Sequence, residues 1–462
     1  MSSTKKSNIS WLSGFLAILL IVAVVAIVWV SLDITSTIPE KKTTATPSVV
    51  VNIGSLNELA HQLVDKFAAD NLLLKERNNI LQAVNNSLQH LQDTHNNQVL
   101  FALQKLDLDT ATTYLSASVK HEKLPRDAAK IWVDIGNLHQ LKSSQLALFA
   151  YKKASKLDDH NSNAWNRLGN YYRQQKKFSL AENAYEKVLQ SSVEGSATKA
   201  VALANFGLLY QAQGKLEQAK ESYKSAIKIN AIKKNTASLA SNNENIAILY
   251  KKNHNFEASE KHYLEALSHY ETLEQDSSVA NIQLSLASLY HQQKKLDQAK
   301  QYYQIAIERY KQNNNQRKIA SSYSNLGILS QQQNKIAEAK DFFEKSLVLN
   351  QQIKQQKGIA DQYGNLGVLY RLQKKFIASE TSHLKSLQIY QQLQQSDAVS
   401  QQQTNLGFLY QAWKKTEKAC QYWQESKQTL MQLNNTSRVI RIKNIVQKYC
   451  EPKKLDGKKA AS

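Results

Sequence analysis

The sequence predicts an all-α fold, in which stacked pairs of helices form a right-handed solenoid behind one membrane-spanning helix. Three observations lead to this prediction. A six-residue frame recurs at an interval of 40 residues, an uncharged apolar stretch lies near the N-terminus, and residues 126–451 contain no proline. A repeat of this length is typical of stacked helical units. Proline is the residue most hostile to helix interiors, so its absence favours helices throughout.

The composition of the 462 residues narrows the classes of partner. The formal net charge is +21, of which residues 1–50 contribute +2, so +19 belongs to the rest of the chain. Such a field favours acidic protein segments, anionic lipid or polyanions. Nucleic acid is poorly supported, because the sequence has no zinc-ligand spacing, no RNA-binding aromatic signature and no dense arginine cluster.

The apolar stretch over residues 11–32 contains no charged residue, and Trp11 and Trp29 stand near its two ends. About 20 such residues cross the core of a bilayer, and indoles favour its interface. A cleaved signal peptide is the alternative, but its apolar core is usually about 7–15 residues long. We therefore expect a short tail over residues 1–10, a single-pass transmembrane anchor and a linker over residues 33–54.

The lysines around this stretch predict its orientation. Lys5 and Lys6 precede it, whereas Lys41 and Lys42 follow it at a distance. This slight bias favours a cytoplasmic N-terminus. In a bacterium, the large C-terminal part would then lie in the periplasm.

Residues 55–125 are expected to form a helical region that leads into the repeats. Apolar residues recur every seven positions in it, at Phe67, Leu74, Leu81 and Leu88. We expect one long helix over residues 55–93 and a degenerate hairpin over residues 97–120. Two interpretations of the apolar seam remain open, namely self-association as a coiled coil and packing on the first repeats.

The repeated frame pairs a small residue with a large ring. The small residue is Gly136, Gly169, Gly207, Ala247, Ala287, Gly327, Gly367 or Gly407. The ring that follows it is Tyr151, Tyr185, Tyr223, Tyr263, Tyr303, Phe343 or Trp423, with His383 as the exception. Glycine costs about 1 kcal/mol in a helix interior, so its return indicates that close packing requires it. We predict that these small and large residues meet in the core.

The frame resembles a known repeat family. One repeat carries Trp165, Leu168, Gly169, Tyr172, Ala181 and Tyr185. It is similar to the tetratricopeptide repeat, and the later repeats resemble the 40-residue variant of kinesin light chains and spindle-orientation adaptors. The resemblance implies about eight helical hairpins over residues 126–435, a capping helix over 436–450 and a basic tail over 451–462. It also implies a scaffold that binds protein or peptide partners in a concave groove.

An asparagine at the head of the frame is the first candidate binding feature. By analogy with the family it lies near the concave face, and the candidate peptide-binding residues are Asn205, Asn245, Asn325, Asn365, Asn405, Lys251, Lys252 and Arg371. A row of carboxamides offers donors and acceptors to the backbone of an extended peptide. Alternatively, each asparagine bonds a neighbouring helix, and the two roles are compatible. The polar and cationic mixture favours a polar or acidic ligand.

Lysines at the turn inside each hairpin are the second candidate feature. They are Lys176, Lys177, Lys215, Lys294, Lys295, Lys335, Lys374, Lys375, Lys414 and Lys415. Turns of stacked repeats align along one edge, so we expect a basic ridge that contacts an acidic partner or anionic lipid. The alternative is that turns simply require soluble residues.

The sequence contains no phosphate-binding loop, His-Glu-x-x-His, Cys-x-x-Cys or Gly-x-Ser-x-Gly motif. We therefore expect no enzymatic activity, no cofactor and no metal. Cys420 and Cys450 fit either a disulfide or two independent thiols. The predicted function is a membrane-anchored scaffold for protein or peptide partners. The alternative is a bacterial envelope assembly factor that engages anionic lipid, lipopolysaccharide, or pilus or peptidoglycan machinery through the basic ridge.

Overall fold

The computed structural model describes residues 56–68, 74–94, 96–433 and 435–451. Within these residues the chain forms 21 α-helices and no strand. The chain divides into two compact units. One extends to Ala117 and also includes Gln140–Lys142, and the other contains the remaining residues.

The described residues of the first unit form four helices, α1 (Leu56–Phe67), α2 (Leu74–Asp93), α3 (Asn97–Gln104) and α4 (Leu108–Val119), and the last two residues of α4 fall in the second unit. The helices α1 and α2 pack on each other, and Asn85 Nδ2 donates to Asn57 Oδ1 between them at 3.1 Å. The single helix predicted over residues 55–93 is therefore two helices, with residues 69–73 outside the description. Of the predicted seam, Leu88 is buried, and Phe67 and Leu81 are half-buried.

In its described residues, the second unit is a run of eight helical hairpins followed by one more helix. The first helices of the hairpins are α5 (Pro125–His139), α7 (Ser162–Gln174), α9 (Ala197–Gln213), α11 (Thr236–Lys252), α13 (Asp276–Gln292), α15 (Gln316–Gln332), α17 (Gln356–Leu372) and α19 (Ser396–Ala412). The second helices are α6 (Ser144–Leu157), α8 (Phe178–Ser191), α10 (Leu216–Ile232), α12 (Phe256–Thr272), α14 (Leu296–Gln312), α16 (Ile336–Gln352), α18 (Phe376–Gln392) and α20 (Thr416–Gln432). The final helix is α21 (Thr436–Cys450). An all-helical solenoid fits this architecture.

The small residue of the frame lies against the ring of the same hairpin. A Cβ built on Gly207 would lie 2.6 Å from Tyr223 Cε1, and one built on Gly327 would lie 2.5 Å from Phe343 Cε1. Real Cβ atoms do not approach so closely, so the two helices fit together there only because glycine has no side chain. Both rings are fully buried. The prediction that small and large residues meet in the core is confirmed.

Three-residue turns join the long helices at both edges of the stack. The middle residue has a φ of 51–60° in every turn from residue 253 to residue 415, at His254, Glu274, Lys294, Asn314, Asn334, Lys354, Lys374, Gln394 and Lys414. These residues recur every 20 positions. The turn within a hairpin and the turn between hairpins therefore share one backbone geometry.

The final helix closes the end of the stack. Ile442 and Val446 of α21 are buried in the same apolar cluster as Trp423 of α20. A disulfide joins Cys420 of α20 to Cys450 of α21, with their Cα atoms 5.6 Å apart. Of the two alternatives for the cysteines, the disulfide is therefore confirmed.

The prediction of a transmembrane helix requires correction. Among the described residues, none of the helices is sufficiently long and apolar to cross a bilayer. The long repeat helices have 17 residues and mix polar with apolar side chains, whereas a span needs about 20 mainly apolar residues. The predicted anchor over residues 11–32 lies outside the described residues, as do the tail 1–10, the linker 33–54 and residues 452–462. The fold is therefore an all-helical solenoid without a described membrane span, and the predictions of single-pass membrane localisation and of a periplasmic domain are not retained.

Candidate functional site

The first helices of the hairpins form the inner face of the stack. Helix α9 contacts both α7 and α11, and α17 contacts both α15 and α19. In the described part of the chain, no two second helices contact each other to a comparable extent. The stack therefore curves toward its first helices, and residues on the solvent-facing side of these helices line a groove.

The asparagine column lies on these first helices, but its members have different partners. Asn205 Nδ2 donates to Asn166 Oδ1 of the preceding hairpin at 2.9 Å. Asn405 Oδ1 accepts from Gln401 Nε2 of its own helix at 3.3 Å. Asn325 is half-buried and makes no hydrogen bond with any described residue. The structure therefore gives Asn205 the role of bonding a neighbouring helix and leaves the carboxamide of Asn325 unpaired.

A groove of about 860 Å³ crosses α15, α17 and α19. It brings together Asn365 and Asn405 of the column with the apolar side chain of Val368. A Cβ built on Gly364 would lie 2.8 Å from Gln402 Nε2, so this glycine leaves room at the floor. The groove therefore presents carboxamides beside an apolar surface. Asn205 and Asn245 belong to earlier hairpins and do not line it.

Two predicted cations, Lys251 and Arg371, are half-buried at equivalent positions of α11 and α17. Lys251 Nζ donates to Ser288 Oγ at 2.9 Å, and Arg371 has no hydrogen bond or ion pair with a described residue. Burial lowers the pKa of both side chains. A cation that is partly withdrawn from water without a carboxylate partner favours an anionic group from a ligand. Lys252, the next residue, is exposed.

Two features of this face escaped the prediction from sequence. Lys318 is half-buried, and burial lowers its pKa while the Glu244 carboxylate partly restores it. Ile328, Val368 and Phe408 follow the small residue of their frames and are only partly buried. The frame itself could have revealed this apolar row, because each member occupies the same position. No periodic signal marks Lys318.

We refer to the ten lysines predicted as a ridge as the lysine edge. All ten are exposed and lie in the turn between the first and second helix of a hairpin. Four of them have a positive φ, namely Lys176, Lys294, Lys374 and Lys414. The others are the N-cap residues of second helices, Lys177, Lys215, Lys295, Lys335, Lys375 and Lys415. Within the described chain, only Lys295 of these ten forms an ion pair, with Glu260 at 3.7 Å.

Among the residues that the structure describes, no group of three or more His, Cys, Asp or Glu side chains is arranged to hold a metal ion.

Comparison with known proteins identifies the repeats. A family model described as tetratricopeptide repeat matches residues 161–231, 236–312 and 278–352, and a second model of that description matches residues 359–393. The chain is a tetratricopeptide repeat protein. The tetratricopeptide architecture is that of a protein-binding scaffold. No curated protein matches the sequence.

Solved structures resemble this tetratricopeptide protein at low identity. A signal transduction ATPase with a tetratricopeptide repeat sensor from Pyrococcus horikoshii is 15% identical with a TM-score of 0.55, over 73% of this chain and 55% of that one. BtubC from P. vanneervenii is 23% identical with a TM-score of 0.41, over 54% of this chain and 96% of that one. Aspartyl phosphate phosphatase F from Bacillus subtilis is 12% identical with a TM-score of 0.49, over 84% of this chain and 96% of that one. The likeness to the signal transduction ATPase concerns the fold alone.

Proposed function

We propose that the tetratricopeptide array binds an extended peptide segment of a partner protein in the groove over α15, α17 and α19. The observation that carries the proposal is the chemistry of this groove. Asn365 Nδ2 reaches only Gln362 Oε1, at 3.5 Å, and Asn405 uses only its Oδ1, which accepts from Gln401 Nε2 at 3.3 Å. These carboxamides retain donors and acceptors for a ligand, and the adjacent Val368 offers apolar contact.

The same groups define how a peptide would bind. Carboxamides of Asn365 and Asn405 would pair with backbone N–H and C=O groups, which are present in every sequence. Alternate side chains of an extended peptide point to opposite sides, so every second one would contact Val368 and its equivalents. Arg371, which has no carboxylate partner, lies on α17 beyond the lining of the groove and would favour an acidic residue in the part of the ligand that extends past it. The array would act by binding alone, without catalysis.

Selection of peptides from a random display library on the intact chain tests this proposal. A selected peptide is then titrated calorimetrically against the wild type and the double variant Asn365→Ala, Asn405→Ala. Each lost hydrogen bond is worth about 1 kcal/mol, so we expect affinity to fall roughly 30-fold. Asn444→Ala, at an exposed position of α21, is the matched control and should bind as the wild type does. Equal affinity of the double variant and the control would exclude the groove as the binding site.

A further inference from the structure

The lysine edge contains a recess that one junction between hairpins leaves open. This recess has a volume of about 530 Å³ and lies between the start of α12 and the next turn within a hairpin. Phe256 and Glu260 of α12 form one side, and Gln293, Lys294 and Lys295 form the other. The recess lies at the turn edge and shares no lining residue with the groove over α15, α17 and α19.

A later junction has the same walls, 120 positions further along the chain. Phe256, Glu260, Tyr290, Lys294, Lys295 and Tyr302 correspond to Phe376, Glu380, Tyr410, Lys414, Lys415 and Tyr422. The contacts correspond as well. Tyr290 donates its hydroxyl to Glu260 Oε1 at 2.8 Å, and Tyr410 donates to Glu380. The ring centroids of Tyr290 and Tyr302 are 5.3 Å apart, and those of the corresponding later tyrosines are 5.4 Å apart.

The two junctions differ at the residue that begins the turn. Trp413 fills the later junction, where its ring stacks on Phe376 with centroids 5.6 Å apart and an interplanar angle of 20°. Lys415 Nζ lies 3.4 Å from the centroid of the Trp413 ring. The earlier junction has Gln293 at this position, and Phe256 meets His254 edge-on at 5.7 Å. The later junction thus shows which group the earlier junction can accept, namely a flat aromatic ring that lies beneath a lysine ammonium group.

We propose that the open recess binds an aromatic side chain from an acidic segment of a partner protein. The ring would stack on Phe256 as Trp413 stacks on Phe376. Lys295 Nζ lies 5.5 Å from the Tyr290 centroid and would move over the inserted ring, as Lys415 does in the later junction.

The charge of the recess rim selects acidic neighbours for that ring. Lys294 is exposed and makes no ion pair with a described residue, and Lys295 pairs only loosely with Glu260, at 3.7 Å. Carboxylates that flank the aromatic residue would therefore be attracted to the lysine side. Glu257 and Glu260 border the opposite wall and would repel them there. This division of charge gives the ligand an orientation.

The other edge of the stack provides an internal comparison. Both edges use turns with the same positive-φ geometry, so solubility alone would place lysines equally on both. Seven turns within hairpins end at residues 177, 215, 255, 295, 335, 375 and 415. Their last two positions make fourteen, and lysine occupies ten of them. It occupies two of ten in the turns between hairpins that end at residues 235, 275, 315, 355 and 395. This concentration on one edge favours a binding role for the lysines.

The test uses a blocked pentapeptide, acetyl-Gly-Asp-Trp-Asp-Gly-amide, with 5-fluorotryptophan observed by ¹⁹F NMR during titration with the intact chain. Gln293→Trp fills the recess with a ring, so we expect the affinity to fall at least about tenfold. Gln373→Trp is the matched control, because it lies in a turn with Lys374 and Lys375, but the residue that corresponds there to Phe256 is Ile336, which is not aromatic. It should bind as the wild type does. Replacing both aspartates of the peptide by asparagine should weaken binding about fivefold and reduce its salt dependence.

Three outcomes would overturn the proposal. They are unchanged affinity of Gln293→Trp, an equal loss in Gln373→Trp, and a wild-type dimer that Gln293→Trp dissociates, which would assign the recess to a second copy of the chain. Asn365→Ala should leave this peptide's affinity unchanged, because the residue lines the groove and not the recess. Failure here is thus distinguishable from failure of the proposed groove.

Discussion

A Cβ built on Gly407 would lie 2.2 Å from Nε1 of Trp423, so the two helices of the last hairpin meet at a glycine and an indole. The Trp423 side chain is completely buried. The same relationship joins Gly207 to Tyr223, whose hydroxyl donates to Gln211 Oε1 at 3.1 Å. The ring varies between hairpins, but wherever glycine occurs in the frame, the helix spacing leaves no room for a methyl group.

The first prediction concerns Gly407→Ala. We expect it to destabilise the last hairpin by roughly 1–3 kcal/mol, because overpacking outweighs the helix propensity that alanine gains. Amide hydrogen exchange in α19 and α20 measures the effect locally, which matters because hairpins of a repeat array open separately. Gly364→Ala is the control, since its Cβ would meet only the flexible end of Gln402. Equal destabilisation by both substitutions would contradict the packing argument.

The helical hairpins could be predicted from the sequence, because their small and large residues occur at fixed intervals. The positive φ of the turns could not be predicted, because lysine, glutamate and glutamine occupy positions where glycine or asparagine usually indicates a positive φ. The recess could not be predicted either, because the difference between Gln293 and Trp413 follows no period. The asparagines of the column do not play one uniform role, because their hydrogen-bond partners, such as Asn166 and Gln401, differ from hairpin to hairpin. The apolar stretch over residues 11–32 led to a membrane span that the described helices do not provide.

The positive-φ lysines lead to the second prediction. Lys374 has a φ of 58°, a conformation that costs a residue with a Cβ about 1–2 kcal/mol. Glycine would remove this cost, but its greater freedom in the unfolded chain offsets part of the gain. Lys374→Gly should therefore stabilise the folded chain by about 0.5–1 kcal/mol. Asn334→Gly, at a φ of 59°, is the control and should gain less, because asparagine tolerates this region. Urea unfolding followed by circular dichroism measures both, and a larger gain in the control would contradict the argument.

The N-cap lysines lead to the third prediction. Lys335 caps α16 without any side-chain hydrogen bond, and its charge meets the positive end of the helix dipole. In α12, Asn255 occupies the same position and accepts from the backbone N–H of Ala258 at 3.2 Å. Lys335→Asn should therefore stabilise by about 1 kcal/mol, and Asn255→Lys should destabilise by a similar amount. Thermal unfolding at low ionic strength compares them, and a shift of the same sign in both would refute the capping argument.

The disulfide of the final helix leads to the fourth prediction. The bond between Cys420 and Cys450 closes a loop of 30 residues, for which chain entropy predicts about 3–4 kcal/mol of stabilisation. Reduction should therefore increase hydrogen exchange in α21 while the early hairpins keep their protection. The double variant Cys420→Ser, Cys450→Ser is the control and should exchange rapidly in α21 with or without reductant. Unchanged protection of α21 after complete reduction would show that apolar contacts alone hold it.

The fifth prediction concerns His383, which occupies the ring position opposite Gly367. Its side chain is fully buried, Nδ1 lies 3.0 Å from Gln402 Oε1, and Nε2 has no hydrogen-bond partner among the described residues. Burial lowers the pKa of His383 to about 4, and the charge of Arg371 contributes to the lowering. An unfolded chain would protonate the same imidazole near pH 6.5.

The sign of the pH effect follows from this difference. Between about pH 6.5 and pH 4 the unfolded chain binds a proton that the folded chain refuses, so stability falls as pH falls through this window. The loss should approach about 3 kcal/mol near pH 4 and vanish above pH 7. His383→Phe, which copies the ring that Phe343 places opposite Gly327, should remove this component. The urea concentration at which α18 and α19 lose half of their hydrogen-exchange protection is measured from pH 7 to pH 4.5. The difference between the wild type and His383→Phe is then plotted against pH. Other titrating groups, including the partly buried His262, cancel in that difference, so a flat curve would mean that His383 stays accessible to protons in the folded chain.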